Sequence, residues 1–131
     1  MTTRQREPRR RDRDYMGWIA RLPCVACAVG GRAVFGVEVA HCGLAIAAHG
    51  WRGAGVQEKA DDRKTLPLCP SHHRTGRDAE HNGQRQFWDR LGICPACLAQ
   101  SLEACYESGT PGVDAIWSAV RSRRRDGGPT C

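Results

Sequence analysis

The sequence predicts a small α+β domain in which two short strands are flanked by helices and a metal site staples the junction. Three observations lead there. Apolar residues recur at helical spacing in several separate segments but at strand spacing in only one region. The chain of 131 residues holds eight aromatic and fifteen glycine residues, a thin core for one domain, and thin cores commonly recruit cross-links. Its eight cysteines fall partly into Cys-x-x-Cys and Cys-x-x-His pairs that can provide them.

Residues 1–13 lack periodicity and predict a disordered basic arm before an ordered domain at 14–125 and a flexible Gly/Pro tail at 126–131. Tyr15, Trp18, Ile19 and Leu22 mark one face of a short helix that Asp14 is placed to cap and Pro23 to end. Cys24-Val25-Ala26-Cys27 follows, before the turn signal Gly30-Gly31. Val34 to His41 alternates and is rich in β-branched residues. It predicts a strand or hairpin with Val37, Val39 and His41 on one side and Glu38 and Ala40 on the other. Cys42 to Arg63 is rich in Gly and Ala and then polar, which predicts a long surface loop. Thr65-Leu66-Pro67-Leu68 reads as a second strand, and Cys69-Pro70-Ser71-His72-His73 as the start of a helix with Pro70 in its first turn. Helical spacing then predicts Gln84 to Leu91 through Phe87 and Trp88, Pro95 to Tyr106 through Leu98 and Leu102, and Pro111 to Arg123 through Ile116 and Val120.

The charge balance is 20 basic against 14 acidic residues, a net +6. Arginine makes up 18 of the 20, and its planar fork suits phosphate oxygens. Arg4, Arg6, Arg9, Arg10, Arg11 and Arg13 precede the first apolar residues, and Arg121, Arg123, Arg124 and Arg125 close the last helix. Two basic arms point to a polyanion, most simply DNA or RNA, or else serve as solubilising tails. No apolar run approaches the length of a membrane span, and the first residues lack the hydrophobic stretch of a secretory signal. The expectation is therefore a cytoplasmic protein. In that reducing compartment cysteine pairs read first as metal ligands or redox groups.

Cys24-x-x-Cys27 and Cys69-x-x-His72 each place two soft donors on a tight turn, and together supply the four ligands of a tetrahedral Zn²⁺. The competing reading is cysteines buried as small hydrophobes. With His72 so assigned, His41, His49, His73 and His81 remain.

Val39-Ala40-His41, then Lys59-Ala60-Asp61-Asp62-Arg63, then Leu66-Pro67-Leu68-Cys69-x-x-His72-His73, then His81-x-Gly83 and Phe87-Trp88, resemble in order the HNH (His-Me finger, ββα-metal) endonucleases. The likeness is to the small phage and prophage branch that includes recombination-enhancement nucleases. It covers about 22–93, which would hold the zinc and the ββα-metal core, with C-terminal helices over about 94–124. The resemblance implies a metal-dependent endonuclease that hydrolyses phosphodiester bonds in DNA. In it His41 would be the general base that activates water, with His73 and His81 as ligands of a catalytic Mg²⁺, Mn²⁺ or similar ion. Relatives often carry a ligand just before the base, where this chain has Ala40, so Asp61 or Asp62 is the candidate replacement. On one continuous helix His73 and His81 would stand about 12 Å apart, so a shared ion requires a break near Gly76. Lys59 and Arg63 are candidate phosphate contacts beside Arg9, Arg10, Arg11, Arg123, Arg124 and Arg125, while the alternative for Lys59 to Arg63 is an exposed mixed-charge loop.

His49 reads as a solvated loop residue. Cys94-Pro95-Ala96-Cys97 opens a helix, and the reading adopted for it is core packing. A second metal would need further donors from Cys42, Cys105, Cys131 or a histidine, and a redox centre would need a surrounding that the sequence does not supply. Against the nuclease stand a non-catalytic zinc protein that binds nucleic acid through its arginines, and a thiol redox protein. A pure binding module has no use for His41, His73 and His81 together.

Overall fold

A computed structural model describes residues 11–54 and 60–125. In chain order the elements are α1 (Arg13–Ile19), α2 (Val25–Val29), β1 (Glu38–His41), β2 (Ala45–Ile46), β3 (Trp51–Arg52), β4 (Thr65–Leu68), α3 (Gln84–Leu91), α4 (Pro95–Ser108) and α5 (Gly112–Ser122). No helix among the described residues is long and apolar enough to cross a membrane.

Helix α1 starts inside the segment expected to be disordered, and its cap is Asp12 rather than Asp14. The Asp12 carboxylate accepts from the Tyr15 N–H at 3.0 Å. The same carboxylate takes the Arg63 guanidinium at 2.7 and 3.1 Å, which fixes which of the two acids caps. Tyr15 and Ile19 are fully buried, as their spacing predicted. Residues 1–10 and 126–131 of the expected arm and tail lie outside the described residues.

The principal sheet is the antiparallel pair β1–β4, with Glu38 opposite Leu68 and His41 opposite Thr65. Pro67 is tolerated because a two-stranded ribbon leaves each strand an outer edge that needs no ladder donor. Strand β1 is shorter than the predicted 34–41. Gly36 turns the chain at φ 78°, and the Val34 carbonyl is already used by the Cys24 N–H at 2.8 Å.

Residues 42–54 are not part of the long surface loop that composition suggested for 42–63, of which residues 55–59 lie outside the described residues. Cys42, Ile46 and Trp51 are buried, and β2 and β3 form a small hairpin that sets Ile46 opposite Trp51 across a 3-10 turn at Ala47–His49. After β4, a single π-type turn at Ser71–Thr75 stands where a longer helix was expected. It ends at Gly76, where a side chain would collide with the Ser71 carbonyl. Helices α4 and α5 pack on each other, α2 on α5, and both α2 and α4 on β4. Leu66, Leu68, Leu98, Leu102, Ile116 and Trp88 fill the centre.

Candidate metal centre and histidine cavity

The two knuckles meet. The donor atoms of Cys24, Cys27, Cys69 and His72 all lie within 4.8 Å of one another, so the four residues could hold a metal ion. His72 Nδ1 is 3.6 Å from Cys24 Sγ, 3.5 Å from Cys27 Sγ and 3.1 Å from Cys69 Sγ, and Cys27 and Cys69 sulfurs are 4.0 Å apart. A tetrahedron with metal–sulfur bonds of about 2.3 Å has edges of about 3.5–4 Å, so this donor set is consistent with zinc. Local structure explains the convergence: Cys24 is the N-cap of α2 and its Sγ accepts from the Cys27 N–H, while the tight turn after β4 carries His72 back beside Cys69. Burial pushes the Cys24 thiol up and the Cys27 thiol to about 12, and burial pushes His72 down. Thiols buried in such a place become thiolates once a divalent cation arrives.

An open cavity of about 540 Å³ beside β1 is lined by His41, His73, Glu80, His81 and Gln84, with Val39, Gly43 and Ala60 in its walls. The break at Gly76 lets the chain return through a 3-10 turn at Glu80–Asn82, which brings the His81 ring to 6.1 Å from that of His73. His41 ends β1, and its Nε2 lies 2.9 Å from Asp62 Oδ1. Asp62 is buried, and its second oxygen accepts from the Asp12 N–H at 2.7 Å. Asp62 therefore orients His41. Asp61 does not line the cavity; its carbonyl accepts from the Lys64 N–H.

His73 Nδ1 lies 2.9 Å from the Glu38 carboxylate, which also takes the Arg74 fork, leaving His73 Nε2 on the ring's other edge. The Arg74 guanidinium, then His73, holds the Glu38 carboxyl down at about 2. Glu80 is buried under the cavity, accepts from Trp88 Nε1–H at 2.7 Å, and is pushed up to about 7 by that burial. Gln84 accepts from the Gly43 N–H and donates to the His41 carbonyl, clamping the backbone on both sides of Cys42. Sequence reasoning missed Glu38, Glu80 and Gln84 as parts of the site. Glu80 had a signal in its place next to His81; Glu38 and Gln84 act through contacts spanning 35 and 43 residues.

Among the candidate phosphate contacts, Arg63 is spent inside the protein. Its guanidinium stacks 4.4 Å from the Tyr15 ring centre and 5.1 Å from that of Tyr106, and bonds Asp12 and Glu107. Arg11, Arg124 and Arg125 are exposed and Arg123 is half-buried; Arg9, Arg10 and Lys59 lie outside the described residues.

His49 is not simply solvated, as the loop reading expected. Its Nε2 is 3.1 Å from Cys97 Sγ, and its Nδ1 is 3.0 Å from Gln100 Oε1. His49, Cys94 and Cys97 form the only other group of three or more close metal donors among the described residues. Packing as a small hydrophobe describes neither cysteine, since Cys94 is buried but disulfide-bonded and Cys97 is exposed.

No protein-family model, curated protein or solved structure matches the chain.

Proposed function

We propose that the protein is a metal-dependent endonuclease of the HNH type acting on DNA, with a structural zinc on Cys24, Cys27, Cys69 and His72. The observation that carries this reading is the convergence of His41, His73 and His81 on one open cavity, with His41 held by a buried carboxylate. A zinc-stapled binding module needs no such arrangement.

The chemistry follows from the donors. Asp62 accepts from Nε2–H of His41, which fixes the tautomer and leaves Nδ1 with a lone pair for the proton of an attacking water. The water oxygen bonds to phosphorus as the bond to the 3′ oxygen breaks, giving a 5′ phosphate and a 3′ hydroxyl. His73 and His81 would hold a divalent ion, with the Glu38 carboxylate accepting from His73 Nδ1–H in the manner usual for ligating histidines. When bound, that ion supplies charge neutralisation on the scissile phosphate. Among the described residues these two imidazoles belong to no close set of three donors, which suits an ion that keeps several waters, and imidazole favours transition ions over Mg²⁺. The basic excess provides phosphate contacts through arginines that the fold leaves exposed.

The test is cleavage of supercoiled plasmid with Mn²⁺, Mg²⁺ or EDTA. His41→Ala should keep its zinc and its DNA binding and lose cleavage by about 10²–10⁴, the usual contribution of a positioned base. A fully active His41→Ala protein, with contaminating nuclease excluded, would leave the non-catalytic zinc nucleic-acid-binding protein as the better account.

A further inference from the structure

The group at His49, Cys94 and Cys97 has no part in the nuclease reading. Cys94 is disulfide-bonded, so two of its three donors remain, too few to close a metal site. What they form is a thiol beside an imidazole. We propose that Cys97 is a nucleophile served by His49 as its base, and that it takes up small carboxylate-bearing disulfides as a mixed disulfide.

Three observations carry the assignment. The first is access. Cys24, Cys27, Cys42 and Cys69 are buried and Cys105 is half-buried, so Cys97 is the exposed free thiol among the described residues.

The second is the state of the imidazole. Gln100 Nε2–H donates to the His49 carbonyl at 3.4 Å, which turns the amide so that Oε1 meets His49 Nδ1 at 3.0 Å. An amide oxygen only accepts, so the ring hydrogen sits on Nδ1 and the Nε2 lone pair faces Cys97 Sγ at 3.1 Å. Nucleophile, base and a third group that orients the base are thus in line, from α4 and the turn of the β2–β3 hairpin. Cys97 also lies in the first turn of α4, where the helix dipole favours a thiolate.

The third is a place for the reagent. Cys97 lines a cleft of about 300 Å³ between α4 and α5, a volume suited to a small molecule. Ser101, Ser118 and Ser122 line it too, with Arg123, whose charge suits a carboxylate.

The step balances without a further reactant. His49 Nε2 takes the thiol proton, and the Cys97 sulfur bonds to one sulfur of the incoming disulfide as the bond between its two sulfurs breaks. The departing thiolate takes the proton back from the imidazolium, so one disulfide is consumed and one small thiol is released.

The experiment uses the full chain, zinc-loaded and purified without reductant, incubated with glutathione disulfide, with adducts counted by intact mass and located by peptide mass spectrometry. Wild type should gain one glutathionyl group, on Cys97, and Cys97→Ser should gain none. His49→Gln should react more slowly by about tenfold or more, with its circular dichroism and zinc content unchanged. Arg123→Gln should lower the alkylation rate with iodoacetate but not with iodoacetamide. An adduct on another cysteine, a Cys94–Cys97 disulfide in its place, or equal rates for wild type and His49→Gln would overturn the nucleophile. An unchanged ratio of the two alkylation rates in Arg123→Gln would overturn the preference for carboxylates. None of these readouts involves cleavage, so the proposal stands or falls apart from the nuclease reading.

Discussion

Cys24-Val25-Ala26-Cys27 and Cys94-Pro95-Ala96-Cys97 are nearly one local structure written twice. Both begin in extended backbone, cap a helix through sulfur and point the second cysteine at a histidine from elsewhere in the chain. They differ in what surrounds them. The first turn lies wholly in the core, and its partners Cys69 and His72 come from the junction after β4, so its four donors join α2, β4 and the turn that carries His73. The second has Cys94 buried and Cys97 exposed, and the partner His49 belongs to a hairpin at the domain's margin. The difference teaches that the local turn sets two sulfurs side by side, whereas the tertiary setting decides how many further donors reach them and what losing one would cost.

The largest effect should come from breaking the first turn's cluster. Cys69→Ser removes one of the four donors that could hold the ion, and leaves two buried thiols and a half-buried imidazole without it. Structural zinc contributes about 10 kcal/mol in small domains, more than a thin core can replace. We expect loss of the zinc and of cooperative thermal unfolding by circular dichroism. Cys97→Ser should instead unfold cooperatively, with its midpoint lowered by a few degrees. Equal losses in the two variants would break the comparison.

An intermediate effect should follow from Gly92→Ala. Gly92 closes α3 at φ 73°, a backbone conformation that costs a side-chain-bearing residue about 1–2 kcal/mol. A Cβ there would also collide with the Arg124 carbonyl, so the contact that brings the chain back past Cys94 must open. Urea unfolding should show a loss of about 1–3 kcal/mol. The zinc of the first cluster should be retained, because the nearest atoms that a Cβ at Gly92 would meet all belong to the Arg124 backbone. Loss of the first zinc would show that the two regions are not independent.

What was legible beforehand follows the length of each signal. Helix α3 and strand β4 were read at their observed boundaries because Phe87, Trp88 and Leu91, and the compact run Thr65 to Leu68, carry their own patterns. The four donors of the first cluster were legible because paired cysteines and histidines on short spacings have few other uses. The β2–β3 hairpin was not, since strands of two residues have no period, and only the burial of Ile46 against Trp51 makes them strands. Nor could His49 be assigned, as its partner Cys97 lies 48 residues away and nothing in the loop's composition points to it. The cap of α1 was misread by two residues because two aspartates competed, and Arg63 decides between them through the fold.

The smallest effect should come from Cys42, which sits beside His41 and belongs to neither metal group. Its side chain is buried, its N–H donates to the Lys64 carbonyl at 2.8 Å, and burial pushes its thiol up to about 11. At neutral pH such a sulfur stays protonated and packs as a small hydrophobe rather than acting as a ligand or nucleophile. Alkylation of the folded, metal-stripped protein should therefore reach the exposed Cys97 well before Cys42. The Cys42 rate should rise about tenfold per pH unit as the thiolate fraction grows toward that high value. Cys42→Ala should cost about 1 kcal/mol, the loss of one buried sulfur, and should leave the zinc content unchanged. A zinc lost with Cys42 would mean that burial alone does not separate the cysteines that pack from those that bind, and would return the assignment of all eight to the metal analysis.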